Sequence, residues 1–440
     1  GVRGPYGGAV VNERFAARLG FAAAKWIAEA KGRRNGRVLI GRDTRASGAP
    51  LAEATASGVA AAGLSPLSLG VLPTPAVARA VTRSGAALGV VITASHNPAS
   101  DNGIKFFSPD GMKLTDAEEA AVEAALDGAP EAFADAGTLP DDGGAAERDY
   151  IRGQTELLPP GALRGWKIVL DTANGATART SAAVLSALGA DLARIGDAPD
   201  GANINAGVGS ECADALARRV VAETARLGVA HDGDGDRCVL CDGSGAVLDG
   251  DELMAILATD ALRQGTLREK TLVATVHSNM GLDMAVRAAG GRVLRAAVGD
   301  RYVLEEMLRS GAGLGGESSG HVIFAEVAPT GDGLTAALRV LGVMLRTGRT
   351  LAELRAVLRK LPQATLALRV SERRPLENCP ALSAEMKKLE AELGSGGRVL
   401  VRYSGTEAKL RLLVEGGSDA VARAGVSRLA AAATTDLGAL

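Results

Sequence analysis

The 440-residue chain balances 49 Lys+Arg against 51 Asp+Glu, a formal net charge of -2, which predicts neither a nucleic-acid nor a membrane partner. Hydrophobic residues make up 47% and mean hydropathy is +0.11, enough apolar material for more than one core, so the length predicts three or four domains. The four cysteines, Cys212, Cys238, Cys241 and Cys379, are scattered and no signal peptide or spanning apolar segment is seen, which predicts a reducing, cytoplasmic setting.

Phe15, Leu19, Ala22 and Trp26 recur at helical spacing and predict an amphipathic helix over 13–30. Val38-Leu39-Ile40-Gly41 predicts a strand, followed by the polar loop Arg42–Gly48 and an Ala-rich helix. Gly89-Val90-Val91-Ile92 predicts a buried strand that breaks into Thr93-Ala94-Ser95-His96-Asn97-Pro98. Pro98 has no N–H to donate and disfavours helix at the residue before it, so the strand ends there. A serine hydroxyl is left at the mouth of a sheet beside His96 and Asn97. Thr115-Asp116-Ala117-Glu118 is a capping box, and 127–146 reads as a relaxed connection.

Lys167–Leu170 and Thr271–Val276 restart the same pattern, running into Asp171–Gly175 and His277–Gly281 and then into helices. With residues 37–51 this makes three strand, polar loop, helix openings, and predicts three related α/β domains with mixed sheets at 1–152, 153–249 and 250–364. Ala364–Val370, Arg398–Val401 and Leu410–Val414 read as strands around a helix whose Leu382, Met386, Leu389 and Leu393 share a face. They predict a smaller C-terminal α+β domain at 365–440.

Three loops invite chemistry beyond the serine turn. His231-Asp232-Gly233-Asp234-Gly235-Asp236-Arg237 sets three carboxylates two residues apart with glycines between, which suits a cation held by oxygen. An EF-hand would need Glu where Gly243 stands, and a solvated acidic turn is the plain alternative. Gly315-Gly316-Glu317-Ser318-Ser319-Gly320-His321 offers carboxylate, hydroxyl and imidazole on a flexible backbone, as hydroxyl-rich ligands require. His321 also reads as a satisfied histidine opening the strand Val322-Ile323-Phe324. Arg402-Tyr403-Ser404-Gly405-Thr406-Glu407 offers a guanidinium fork, hydroxyls and turn N–H groups to an anion, or is a simple hairpin. Cys238-x-x-Cys241 lies in an apolar strand, where that spacing points the thiols to opposite faces and argues against a shared metal.

Together these loops resemble, in order, the phosphoserine, metal, sugar and phosphate loops of the α-D-phosphohexomutase superfamily. Asp101–Phe107, Asn203-Ile204-Asn205, Ser278–Gly281 and Gly299-Asp300-Arg301-Tyr302-Val303 resemble its phosphoglucosamine mutase branch. The phosphomannomutase/phosphoglucomutase branch usually has Met at Ser318. The resemblance implies four domains around a central cleft, each giving one loop. It implies a phosphorylated Ser95 that binds Mg²⁺ with Asp232, Asp234 and Asp236. His96, Lys105, Arg237 and Arg3 would serve catalysis, with Lys105 a candidate acid/base. Asp300, Arg301, Glu317, Ser319 and His321 would hold the sugar, and Arg402, Ser404, Gly405, Thr406 and Arg411 the distal phosphate. The implied reaction interconverts glucosamine 6-phosphate and glucosamine 1-phosphate, primed by glucosamine or glucose 1,6-bisphosphate, in a monomer or homodimer. A phosphomannomutase/phosphoglucomutase, a metal-dependent serine phosphatase and a non-catalytic sugar-phosphate sensor are the competing readings. Two departures stand out: the Thr-Asp-Gly usual before the Arg3 loop is cut short at Gly1, and Ala408 replaces a common proline.

Overall fold

The computed structural model describes residues 1–30, 32, 36–404 and 408–438. Three sheets are built on one plan. In the first, Ser65–Val71, Arg37–Arg42, Leu88–Ile92 and Asp101–Phe107 lie side by side, the first three parallel and the last antiparallel, with Val2–Pro5 added at that edge. The second repeats the order with Asp191–Ile195, Lys167–Asp171, Leu227–His231 and Cys238–Asp242, and adds Val247–Leu248. The third repeats it with Arg292–Ala296, Thr271–Thr275, Leu314–Gly316 and Val322–Phe324. In each, a parallel strand turns back into an antiparallel neighbour. Those three turns are the serine, carboxylate and Glu317 loops.

Alternating side chains send each sheet's two faces into different cores. Leu39, Ile168, Leu170, Leu272 and Ala274 join one core continuous through all three domains, together with the helices Gly250–Gln264 and Gly333–Thr347. Val38 and Ile40, Val169, and Val273 face separate outer clusters. Cys238 enters the common core and Cys241 the opposite cluster, as their spacing predicts. The C-terminal domain has its own core under the antiparallel sheet Gln363–Arg369, Lys409–Glu415, Arg398–Tyr403. Two helices cover it, Pro380–Leu393 and Asp419–Leu437.

The helix Glu13–Ala30 and the Thr115 capping box stand where the sequence places them. The tract 127–146 is not all connection: a helix runs from Gly143 to Thr155, so the division at 152 falls inside it. That at 364 falls inside the strand Gln363–Arg369. Among the described residues no helix is long and apolar enough to cross a membrane.

The C-terminal domain hangs on the third through the loop after Thr275. Asn279 exchanges two hydrogen bonds with the Leu361 backbone, at 2.9 and 3.0 Å. Met280 N–H donates to the buried Glu415 carboxylate at 3.0 Å, and Arg398, paired with Glu415 at 2.7 Å, reaches the Ser278 carbonyl at 2.7 Å.

Candidate active site

Ser95 leaves its strand with φ +54, a left-handed conformation that costs a non-glycine residue free energy unless its surroundings enforce it. The turn supplies one such bond, Ser95 N–H to Thr93 Oγ1 at 2.9 Å, and Thr93 Oγ1 donates in turn to Asp43 at 2.7 Å. The result is a hydroxyl, only 2% exposed, that donates to Asp232 Oδ2 at 2.5 Å across 137 residues of chain.

Asp232, Asp234 and Asp236 are buried, and their ligand oxygens lie within 4.8 Å of one another. Alternation with Gly233 and Gly235 turns all three inward, and Gly235 takes φ +74. Burial, then Asp236 and Asp234, push Asp232 up to about 8. Asp234 and Asp236 are held low instead: burial opposes their charge, but Lys105 outweighs it, aided at Asp236 by His321. Oδ1 of Asp234 and of Asp236 are buried without a hydrogen-bond partner among the described residues. Three clustered anions with two unmatched oxygens fit a hard divalent cation. No other group of three or more such ligands occurs among the described residues.

The candidate catalytic cations surround this cluster. Lys105 Nζ donates to Asp234 Oδ2 at 2.7 Å and lies 3.8 Å from Asp236. Burial opposes its charge, but the two aspartates raise its pKa, so it stays protonated and suits charge neutralisation or proton donation better than proton abstraction. Arg237 lies 3.9 Å from both Asp232 and Asp236 and bonds Glu211 at 2.9 Å. His231, neutral because burial lowers it to about 4, fixes that turn by donating from Nδ1 to the Arg237 carbonyl at 3.1 Å. Arg3 bonds Asn97 at 3.3 Å and, with Lys105 and Lys113, lines a cavity of about 200 Å³. His96 is lowered by burial and by Arg237, and its Nδ1 has no partner among the described residues.

The Glu317 loop is tied down by backbone hydrogen bonds. Glu317 N–H donates to the His321 carbonyl at 2.9 Å, Gly250 N–H to Ser318 at 3.0 Å, and Cys238 N–H to Gly320 at 3.0 Å, seating this turn against the carboxylate strand. Glu317 accepts the Gly299 N–H at 3.1 Å, while Ser318 faces a cavity of about 400 Å³. Ser319 is half-buried in the turn.

Two of the expected sugar contacts, His321 and Arg301, are engaged with protein groups. His321 is 2% exposed and its Nε2 accepts the Gly331 N–H at 3.0 Å. It lies between two carboxylates, 3.6 Å from Asp236 and 3.5 Å from Asp300. Arg301 turns to the first domain, bonding Asp116 and the Leu114 carbonyl (3.3 Å), with Glu119 at 3.6 Å. Asp300 is tied to Lys113, which holds its carboxyl well below the usual range against the opposing effect of burial.

Arg402 and Arg411 stand opposite each other on paired strands and line the 400 Å³ cavity with His277 and Ser318. Burial and Arg411 depress the Arg402 pKa, so an anion between the two relieves both. His277, absent from the expected set, accepts from Arg402 Nη2 at 2.8 Å. Ser404 is buried, and its N–H donates to the Lys409 carbonyl at 2.8 Å; Gly405 and Thr406 lie outside the described residues. Thr74 was also missed: its hydroxyl donates to Asp234 at 2.6 Å, from a Thr-Pro helix start with no motif to mark it.

Known proteins carry the same design. Profiles of the phosphoglucomutase/phosphomannomutase family match domain I at 1–132, domain II at 149–245, domain III at 249–361 and the C-terminal domain at 366–432. A phosphoglucosamine mutase from Pelobacter propionicus is 45% identical over 94% of this chain and 93% of its own. A phosphoglucomutase/phosphomannomutase family protein from Burkholderia thailandensis superposes with a TM-score of 0.82 at 24% identity, covering 99% of this chain and 96% of its own. Aspergillus fumigatus N-acetylphosphoglucosamine mutase, solved with GlcNAc-6P and magnesium, gives 0.62 at 20% identity over 82% and 91%. The chain belongs to the phosphoglucomutase/phosphomannomutase family, in its phosphoglucosamine mutase group.

Proposed function

We propose that the chain interconverts glucosamine 6-phosphate and glucosamine 1-phosphate, with Ser95 carrying the phosphoryl group and a 1,6-bisphosphate as intermediate and primer. The observation that carries this reading is the Ser95 hydroxyl held 2.5 Å from Asp232, at the edge of a buried carboxylate cluster. Ser95, Asp232, Asp234 and Asp236 would hold Mg²⁺, which when bound neutralises charge on the transferring group. Phospho-Ser95 gives its phosphoryl group to the free sugar hydroxyl, whose proton must leave. His96, half-buried next to Ser95 and with its pKa lowered by burial, is the candidate acceptor. Lys105 and Arg237 steady the charge that spreads over the phosphoryl oxygens. Arg402 and Arg411 grip the distal phosphate, and because they read phosphate rather than sugar they serve both orientations of the bisphosphate. After it turns, the second phosphate returns to Ser95 and the isomeric monophosphate leaves.

Glu317 gives the sugar preference a physical basis. An ammonium at the 2-position adds a donor charge to its bond with a carboxylate, where a hydroxyl is a neutral donor, about 1–2 kcal/mol or roughly tenfold in kcat/KM. The test is intact mass before and after phosphatase treatment, paired with kcat/KM for glucosamine, glucose and mannose 1-phosphates under equal priming. Phosphate on Ser95 and a glucosamine preference are expected. A preference for either neutral sugar would move the substrate, and release of inorganic phosphate at turnover speed would make the protein a phosphatase.

A further inference from the structure

Two side chains outside the expected site converge on the backbone of the serine turn. Arg45, only 1% exposed, donates from Nη2 to the carbonyls of Ser95 (3.1 Å) and Asn97 (2.8 Å), and from Nη1 to those of Pro98 and Asp101 (3.0 Å). Its Nε donates to the buried Asp43 at 2.9 Å, which balances its charge and uses the last of its five N–H groups. From the second domain, Asn205 Nδ2 donates to the same two carbonyls, Ser95 at 2.9 Å and Asn97 at 3.0 Å. Asn205 is itself left-handed, at φ +59, and anchored by its N–H to the Ala173 carbonyl at 2.8 Å. Gly233 makes the approach possible, since a Cβ there would stand 2.6 Å from the Ser95 carbonyl oxygen and 3.0 Å from Asn205 Nδ2.

We propose that Arg45 and Asn205 are positioning residues that clamp the Ser95 and Asn97 carbonyls from two domains, holding Ser95 in the left-handed conformation that aims its hydroxyl at the carboxylate cluster. A strained residue persists only where its neighbours over-determine it, and two carbonyls with two donors each do so here. The clamp also ties serine to metal ligands: the domain that carries Asp232 grips the backbone of the residue Asp232 must meet. It acts on the turn and not on the sugar, so its loss should lower kcat and spare KM. The inference rests on the reading of Ser95 as the phosphoryl carrier.

Asn205→Gly tests it without disturbing the fold, because glycine adopts the left-handed backbone freely and only the side chain is lost. Asn205→Asp keeps the shape but sets a carboxylate against two carbonyl oxygens, and Arg45→Lys supplies the same test from the other side. The measurements are kcat and KM for glucosamine 1-phosphate, thermal stability, and the rate at which dephosphorylated enzyme takes phosphate from glucose 1,6-bisphosphate, followed by intact mass. For Asn205→Gly we expect kcat and phosphate uptake to fall together by about tenfold to a hundredfold. KM should stay within about twofold and Tm near wild type, with a larger rate loss for Asn205→Asp. Unchanged kcat and uptake in Asn205→Gly, or a loss confined to KM, would overturn the clamp. Uptake on Ser95 without mutase turnover in the wild type would refute the substrate reading while uptake still measures the clamp. No uptake on Ser95 at all would refute both.

Discussion

Replacing Asp234 by asparagine should abolish most mutase activity while leaving the metal-free fold close to its original stability. Asp234 Oδ2 accepts from Thr74 at 2.6 Å and from Lys105 at 2.7 Å. At an effective dielectric of about 20, the Lys105 attraction is worth about 6 kcal/mol. The oxygens of Asp232 and Asp236 lie within 4.8 Å, and each unit of charge there returns about 3.5 kcal/mol of repulsion. With Asp232 raised to about 8 and so largely neutral, Asp236 alone offsets more than half of that attraction, and an amide avoids the cost of burying a charge altogether. Its oxygen can keep the Thr74 and Lys105 bonds, which turns the NH₂ to the side of the unpartnered Oδ1, so a donor faces the cation. One unit of charge beside a divalent cation would be worth at least about 8 kcal/mol in the same medium. If rehydration of the ion returns half, the loss is about 4 kcal/mol, about three decades in metal affinity. A Mg²⁺ titration of mutase rate, with thermal melts in EDTA, reads both halves of the argument. Wild-type half-saturation by Mg²⁺, or collapse of the EDTA melt, would refute it.

Gly250→Ala should raise KM for the sugar phosphate by about tenfold, because a Cβ there would stand 2.0 Å from the Glu317 carbonyl and must displace that turn; steady-state kinetics alongside thermal melts check it. Burial, then Arg402, Arg411 and Arg398, lowers His277 from 6.5 to about 4, so the folded protein binds fewer protons than the unfolded chain between those values. Its contribution is whole above about 6.5 and fades as pH falls to about 4; wild type should therefore lose more Tm over that window than His277→Gln, and parallel curves would contradict this. Saturating sugar phosphate should compact the molecule in small-angle scattering as the C-terminal domain closes on its Glu415 and Asn279 joint; identical profiles would count against that motion.

The carboxylate loop and the serine turn were legible because charge spacing, glycines and a closing proline act locally. The three α/β openings were legible for the same reason, since a strand's apolar run and the polar loop after it need no distant partner. The helix Asp419–Leu437 was not: the run Leu429–Ala433 gives little polar contrast along its length. Arg301 and His321 show a different limit. Their motifs located them, but direction depends on Asp116 in one case and on Gly331 and Asp300 in the other. Arg45 and Asn205 sit in stretches the sequence singled out, yet their partners stand 50 and 110 residues away along the chain. Gly405 and Thr406, expected to hold phosphate, lie outside the described residues.

The serine, carboxylate and Glu317 turns share one address, the hairpin between a parallel strand and its antiparallel neighbour, in three copies of a single topology. In the proposed reaction the labour is thereby divided among copies: one hairpin would carry the group to be moved, one its counter-charge, one the handle on the sugar. The third is not independent of the second, since Cys238 of the carboxylate strand donates to the Gly320 carbonyl and His321 lies 3.6 Å from Asp236. A graft of that turn from a relative must therefore keep Gly320 and His321, the two points at which it meets the carboxylate hairpin.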